Sequence, residues 1–110
     1  MAKVDLKKEN RVAILTINNP PANALSSQVS AELLMHLETL AKDDEVRVLV
    51  VTGAGDRFFM AGADIKEFPG LLKGQAGLAG AFALEGHKMF NALDNFPRPT
   101  IAAVNGFALG

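Results

Sequence analysis

Apolar residues change their spacing along this chain in a way that marks out its elements. Val4 to Lys8 and Arg11 to Ile17 are short runs rich in β-branched residues, separated by Glu9 and Asn10, and they predict a hairpin. Asn18 to Ala22 contains Pro20 and Pro21 and must be loop, since proline cannot donate to a strand ladder. From Ser26 or Ser27, either of which can cap a helix, to about Lys42 the spacing turns helical. Val29, Leu33, Leu34, Leu37, Leu40 and Ala41 fall on one face, which belongs against a sheet. Val46 to Thr52 is almost continuously apolar and β-branched, the pattern of a central strand covered on both sides.

Beyond that strand the pattern is looser. Gly53 to Gly62 reads as a loop, and Asp64 to Phe68 as one helical turn stopped by Pro69 and Gly70. Gly70 to Gly80 is rich in Gly and Ala with little periodicity and is expected to be mobile. Ala81 to Asn95 predicts a second helix burying Phe82, Met89, Phe90 and Leu93, ended by Pro97 and Pro99. Thr100 to Val104 predicts another short buried strand. Asn105 to Gly110 then ends the chain in an apolar loop, where domain ends are usually polar, so the expectation is the amino-terminal part of one domain, residues 1–110, and no second domain.

Composition narrows the function classes. With 110 residues and a formal net charge of −1, the chain fits a single α/β unit with a modest core. Acidic and basic residues are interspersed, as in Lys7-Lys8-Glu9 and Lys42-Asp43-Asp44-Glu45, so no basic stripe suits a phosphate backbone and no nucleic-acid partner is expected. Cysteine is absent, which removes disulfides, thiolate metal sites and cysteine nucleophiles together. No apolar run reaches the ~18 residues of a membrane span, and Met1 to Asn10 lacks a signal-peptide core, so a cytoplasmic protein without a membrane partner is expected.

The segment with most chemical content is Ala61-Gly62-Ala63-Asp64-Ile65-Lys66-Glu67. Small residues let a ligand approach the backbone, Asp64 and Glu67 have capping-box spacing, and an unpartnered N–H at such a turn can face developing negative charge. On the residues alone an ordinary capped turn explains the segment equally well, and better by frequency. Gly53-Ala54-Gly55 has Phe58 where a dinucleotide fingerprint needs its third glycine. Asp64 and Glu67 have structural roles at a helix start that outweigh an acid and base pairing. His36 and His87 stand on separate helices without metal-ligand spacing, and no metal is expected. Ser26, Ser27 and Ser30 are better explained by capping than by nucleophilic catalysis.

Four segments taken in order carry a more specific signal: Leu15 to Leu25 (LTINNPPANAL), Val50 to Gly53 (VVTG), Phe58 to Glu67 (FFMAGADIKE) and Pro97 to Gly110 (PRPTIAAVNGFALG). Together they resemble the crotonase (enoyl-CoA hydratase/isomerase) family across nearly the whole chain. The resemblance implies repeated ββα units, trimers or hexamers, and an acyl-CoA thioester as substrate with no resident cofactor. It implies that the Ala63 N–H donates to the thioester oxygen and that Ala61, Gly62, Ala63, Asp64, Ile65 and Lys66 surround the adenine and pantetheine parts. Ala24 and Leu25 wall the same pocket, and Lys66 is expected near phosphate. The family's second oxyanion donor would follow Gly110. The two glutamates that hydratases use as acid and base have no matching position in this chain, so the 110 residues alone are expected to be inactive, as part of a hydratase of fatty-acid β-oxidation. Enoyl-CoA isomerase, another acyl-CoA enzyme of the family, and a non-catalytic acyl-CoA-binding or assembly module are the alternatives.

Overall fold

The computed structural model describes the backbone of residues 1–64 and 76–109 and the side chains of 1–64 and 84–109. Its elements run β1 (Val4–Glu9), β2 (Val12–Ile17), α1 (Ser27–Ala41), β3 (Val48–Gly53), β4 (Phe58–Met60), α2 (Ala76–Asp94), β5 (Thr100–Ala103) and β6 (Phe107–Ala108). The order is two successive ββα units followed by a further pair of strands. The expected α/β architecture of repeated ββα units is therefore present.

The hairpin forms where the alternation places it. Asn10 and Arg11 both adopt positive φ, 51° and 67°, as a two-residue hairpin turn requires. β1 pairs antiparallel with β2, setting Leu6 against Leu15. β2 pairs parallel with β3, and β3 parallel with β5, giving the sheet order β1-β2-β3-β5. Helices must lie between parallel neighbours, and α1 and α2 supply them. α1 starts at Ser26, whose Oγ accepts the Val29 N–H at 3.1 Å. Its stripe Val29, Leu33, Leu37 and Leu40 joins Ala13, Leu15, Ile17, Leu49, Val46, Met89 and Phe96 in one buried core. An apolar cavity of about 230 Å³ remains between the helices and the sheet, lined by Leu15, Leu33, Leu37 and Met89 among others.

Four expectations need correction. β3 lies inside the sheet, but among the described residues only its Leu49 face is buried; Val48, Val50 and Thr52 are half-buried. β5 is a sheet edge with all four residues exposed, Ile101 at 52%, so its apolar sequence does not make it a buried strand here. Phe58–Met60, placed within a loop by the sequence, is a strand paired parallel with β6, which lies in the segment also expected to be loop. α2 begins at Ala76, five residues ahead of Ala81 and inside the stretch expected to be mobile. Of its expected core residues, Met89 is buried and Leu93 partly so, whereas Phe90 is 51% exposed. The Phe82 side chain, the turn at 65–68 and residues 70–75 lie outside the described residues.

Glu32 ties the start of β1 to α1. Its carboxylate accepts the Lys3 N–H at 2.9 Å and the Val4 N–H at 3.1 Å, and the Gln28 Nε2 at 2.8 Å. Desolvation raises its pKa, but the hydrogen bonds from Gln28, Lys3 and Val4 together outweigh this and hold the carboxyl below its ordinary 4.5. A depressed folded pKa contributes stability that is complete above 4.5 and lost as pH falls through the lower folded value. Glu32→Gln is expected to lower stability at pH 7 by about 1 kcal/mol or less, because the group is half-exposed and solvent-screened. Urea unfolding of both forms checks this, and the difference should shrink below pH 4.5.

Candidate functional site

Two loops meet beside the end of β4. The first, Asn18 to Leu25, contains a cis Pro20–Pro21 bond and Asn23 at φ 55°. The second runs Ala61 to Asp64, with Gly62 at φ 94°, a conformation that suits glycine. They are joined by a single parallel bridge between Leu25 and Ala63. Leu25 donates its N–H to the Gly62 carbonyl at 2.7 Å, and Asp64 donates its N–H to the Leu25 carbonyl at 3.0 Å. In this pattern both bonds flank Ala63, so the Ala63 N–H faces away from Leu25. Ala63 is itself exposed.

Asn19, Pro20, Pro21, Ala22 and Ala24 on one side and Ala61, Ala63 and Asp64 on the other line a cleft of about 270 Å³. Of the residues singled out in the sequence, Ala24, Ala61, Ala63 and Asp64 line it, while Leu25 and buried Gly62 are joined by one of the bonds that make the bridge. Ile65 and Lys66 lie outside the described residues. Asn19 to Ala22 also wall the cleft, a role that the double proline, legible in the sequence only as a loop signal, does not announce.

Behind the cleft, β4 and β6 bring a third segment alongside. Phe58 pairs with Phe107 and Met60 with Ala108, with an irregularity at Phe59 between them, a feature common beside functional sites. The Phe107 N–H bonds the Arg57 carbonyl and the Leu109 N–H bonds the Met60 carbonyl, both at 2.9 Å. Leu109 thus stands next to the residue that precedes Ala61. A Cβ at Gly53 would lie 2.6 Å from the Phe58 carbonyl oxygen, and one at Gly106 would overlap the Arg57 carbonyl. The two glycines are what lets the segments close on each other.

Other candidates stay apart. His36 is half-buried on α1 and His87 exposed on α2; among the described residues no group of three or more His, Cys, Asp or Glu could hold a metal ion. Among the described residues no helix is long and apolar enough to cross a membrane. The cleft is lined largely by small residues and includes Ala63, whose backbone N–H is turned away from Leu25. Such a donor can bind a carbonyl oxygen and stabilise negative charge developing on it.

Known proteins resemble this chain in sequence and fold. Residues 7–110 match the family described as enoyl-CoA hydratase/isomerase. A probable enoyl-CoA hydratase of Bacillus subtilis is 46% identical over 110 residues, covering 100% of this chain and 42% of the relative. A short-chain-enoyl-CoA hydratase of Clostridium acetobutylicum is 44% identical, covering 97% of this chain and 40% of the relative. Among solved structures, DspI of Pseudomonas aeruginosa superposes with a TM-score of 0.90 at 37% identity, over 98% of this chain and 40% of its own. Enoyl-CoA hydratase of Bacillus anthracis gives 0.86 at 32% identity, over 98% of this chain and 42% of its own. The chain spans about two-fifths of the length of the relatives it matches.

Proposed function

Because the chain belongs to the enoyl-CoA hydratase/isomerase family, we propose that it contributes the amino-terminal portion of an enoyl-CoA hydratase, which adds water across the trans-2 double bond of an acyl-CoA. The observation that carries this is the Ala63 N–H, turned away from Leu25 on an exposed residue that lines the cleft with Ala24, Ala61 and Asp64. A 2-enoyl thioester accumulates negative charge on its carbonyl oxygen when water attacks C3, and a fixed backbone donor at that oxygen lowers the barrier. The pantetheine arm lies along the Asn19–Leu25 loop, whose proline and alanine walls leave room for a slender chain. For Ile65 and Lys66, which lie outside the described residues, the contribution to coenzyme A binding rests on the family resemblance alone, which assigns Lys66 a phosphate as its partner.

Acid and base chemistry on the double bond needs a pair of carboxylates; among the described residues Asp64 lines the cleft, whereas Glu32 is tied to the β1 end of α1 and Glu85 sits on α2. The second oxyanion donor and the acid and base therefore come from polypeptide equivalent to the remainder of the relatives. We take the whole enzyme to be a cytoplasmic trimer or hexamer acting in fatty-acid β-oxidation, with the thioester as substrate and no resident cofactor. The relatives named as hydratases favour hydration over isomerisation.

The test is hydration of crotonyl-CoA, followed by loss of the enoyl-thioester absorbance. The 110-residue chain alone is expected to leave the substrate unchanged. Joined after Gly110 to the remainder of the Bacillus subtilis relative, it should hydrate crotonyl-CoA at an enzymatic rate. A soluble, folded chimera that binds the substrate but only shifts a 3-enoyl double bond would replace hydratase by isomerase.

A further inference from the structure

Two asparagine side chains converge on one carbonyl behind the cleft, and neither was singled out by the sequence. Asn23 is only 4% exposed and adopts φ 55°. Its Oδ1 accepts the Asn19 N–H at 3.0 Å, while its Nδ2 donates to the carbonyls of Ala54 at 3.2 Å and Phe58 at 2.9 Å. Asn105 reaches the same carbonyl. Its Oδ1 accepts the Gly53 N–H at 3.0 Å, and its Nδ2 donates to the carbonyls of Gly55 at 3.0 Å and Phe58 at 3.3 Å. The Asn23 amide spends its acceptor and both donors on backbone, and the Asn105 amide does the same while also lying 3.4 Å from the Thr52 hydroxyl, so each is close to its full capacity.

The bonds close a ring. From Asn23 the chain runs two residues to Leu25, crosses the bridge to Ala63, returns along β4 to Phe58, and is closed by the Asn23 amide on the Phe58 carbonyl. Ala63 lies within this ring, so the direction of its N–H is set by a bond at each end of the segment that carries it. Asn105 fastens the same carbonyl to the strand whose Leu109 lies beside Met60. Packing does not explain the choice of residue: an apolar side chain at position 23 would leave the Asn19 N–H and the Ala54 carbonyl without these partners.

We propose that Asn23 and Asn105 form a clamp on the Phe58 carbonyl that positions the Ala63 N–H for the thioester oxygen. They are positioning residues, since neither lines the cleft. The proposal deepens the hydratase reading and rests on it for the identity of the ligand. Displacement of a catalytic group by about 1 Å can cost on the order of 100-fold in rate, and the clamp guards against such a displacement.

Asn23→Asp is the decisive variant. Aspartate tolerates the left-handed backbone of Asn23, but its carboxylate cannot donate and would face two carbonyl oxygens. In the full-length chimera, kcat for crotonyl-CoA is expected to fall by about 10- to 100-fold, with KM changed by less than about threefold because the cleft walls remain. A second readout is the spectrum of bound 4-(dimethylamino)cinnamoyl-CoA, whose absorbance moves to the red when its carbonyl is polarised. The parent chimera should show the red shift and the Asn23→Asp form should bind the probe with most of the shift lost. An unchanged shift per bound probe, with unchanged kcat, would overturn the clamp and leave Asn23 a structural residue. Should Asn23→Asp fail to fold, Asn105→Asp removes the other side of the clamp and is read by the same two criteria. If the parent chimera itself gives no shift, the hydratase reading falls. The clamp is then decided by amide exchange at Leu25 and Asp64, where acceleration of about tenfold in Asn23→Asp supports it and no change refutes it.

Discussion

Replacing Ala63 by proline in the full-length enzyme is expected to lower kcat by about 100- to 1,000-fold, the usual loss for one oxyanion donor. Proline deletes the N–H and little else at this position. The bridge survives, since its two bonds use the Gly62 carbonyl and the Asp64 N–H, and the preceding residue is a glycine that accommodates the restriction proline imposes. Assembly and solubility should be retained, as judged by size-exclusion chromatography and circular dichroism. Normal turnover of crotonyl-CoA by a well-folded Ala63→Pro enzyme would remove Ala63 from the mechanism.

The second large effect concerns stability. Leu15→Ala is expected to cost about 2 to 5 kcal/mol in urea unfolding, with the upper part of the range favoured. Leu15 has no exposed surface, sits on an interior strand, and already borders the apolar cavity of about 230 Å³. Truncation enlarges that cavity, whose lining is almost wholly apolar and so offers little to hold a compensating water. Met35→Ala on the same domain is the control. Met35 is 53% exposed on α1, so its truncation should change stability by about 0.5 kcal/mol or less. Equal losses from the two would mean that the helix pair does not pack on the sheet as described.

How much the sequence reveals depends on the range over which each element is stabilised. The hairpin, α1 and β3 are legible because their causes are local. Alternation, a serine cap and a β-branched run each act within a few residues, and the structure returns them nearly to the residue. β4 was hidden because Phe58–Met60 is three residues long between glycine-containing loops, and its partner Phe107 is far along the chain. Nothing local distinguishes such a strand from a loop. The start of α2 was missed because glycines and alanines at 76–80 carry no amphipathic signal, although the backbone is helical there. β5 shows the reverse failure: Thr100–Ala103 has a buried strand's composition but lies on an edge that no described element covers.

The site divides along the same line. Ala61 to Asp64 could be singled out as a small-residue turn, yet the residues alone allowed a plain capped turn, and the family resemblance decided between the readings. Only the three-dimensional arrangement shows that Ala63 faces away from Leu25 and that Pro20 and Pro21 complete the cleft. Asn23 was invisible as anything beyond a loop residue. Its work depends on carbonyls 31 and 35 residues away, which no spacing rule connects.

The most direct test of the account is a titration of the isotopically labelled full-length enzyme with crotonyl-CoA, following the backbone amide resonance of Ala63 by nuclear magnetic resonance. The account predicts a downfield shift of that amide proton as the thioester oxygen takes its hydrogen bond, together with shifts at Ala24 and Ala61 on the cleft walls. Saturable binding that leaves Ala63 unmoved, with the changes falling elsewhere on the protein, would contradict it.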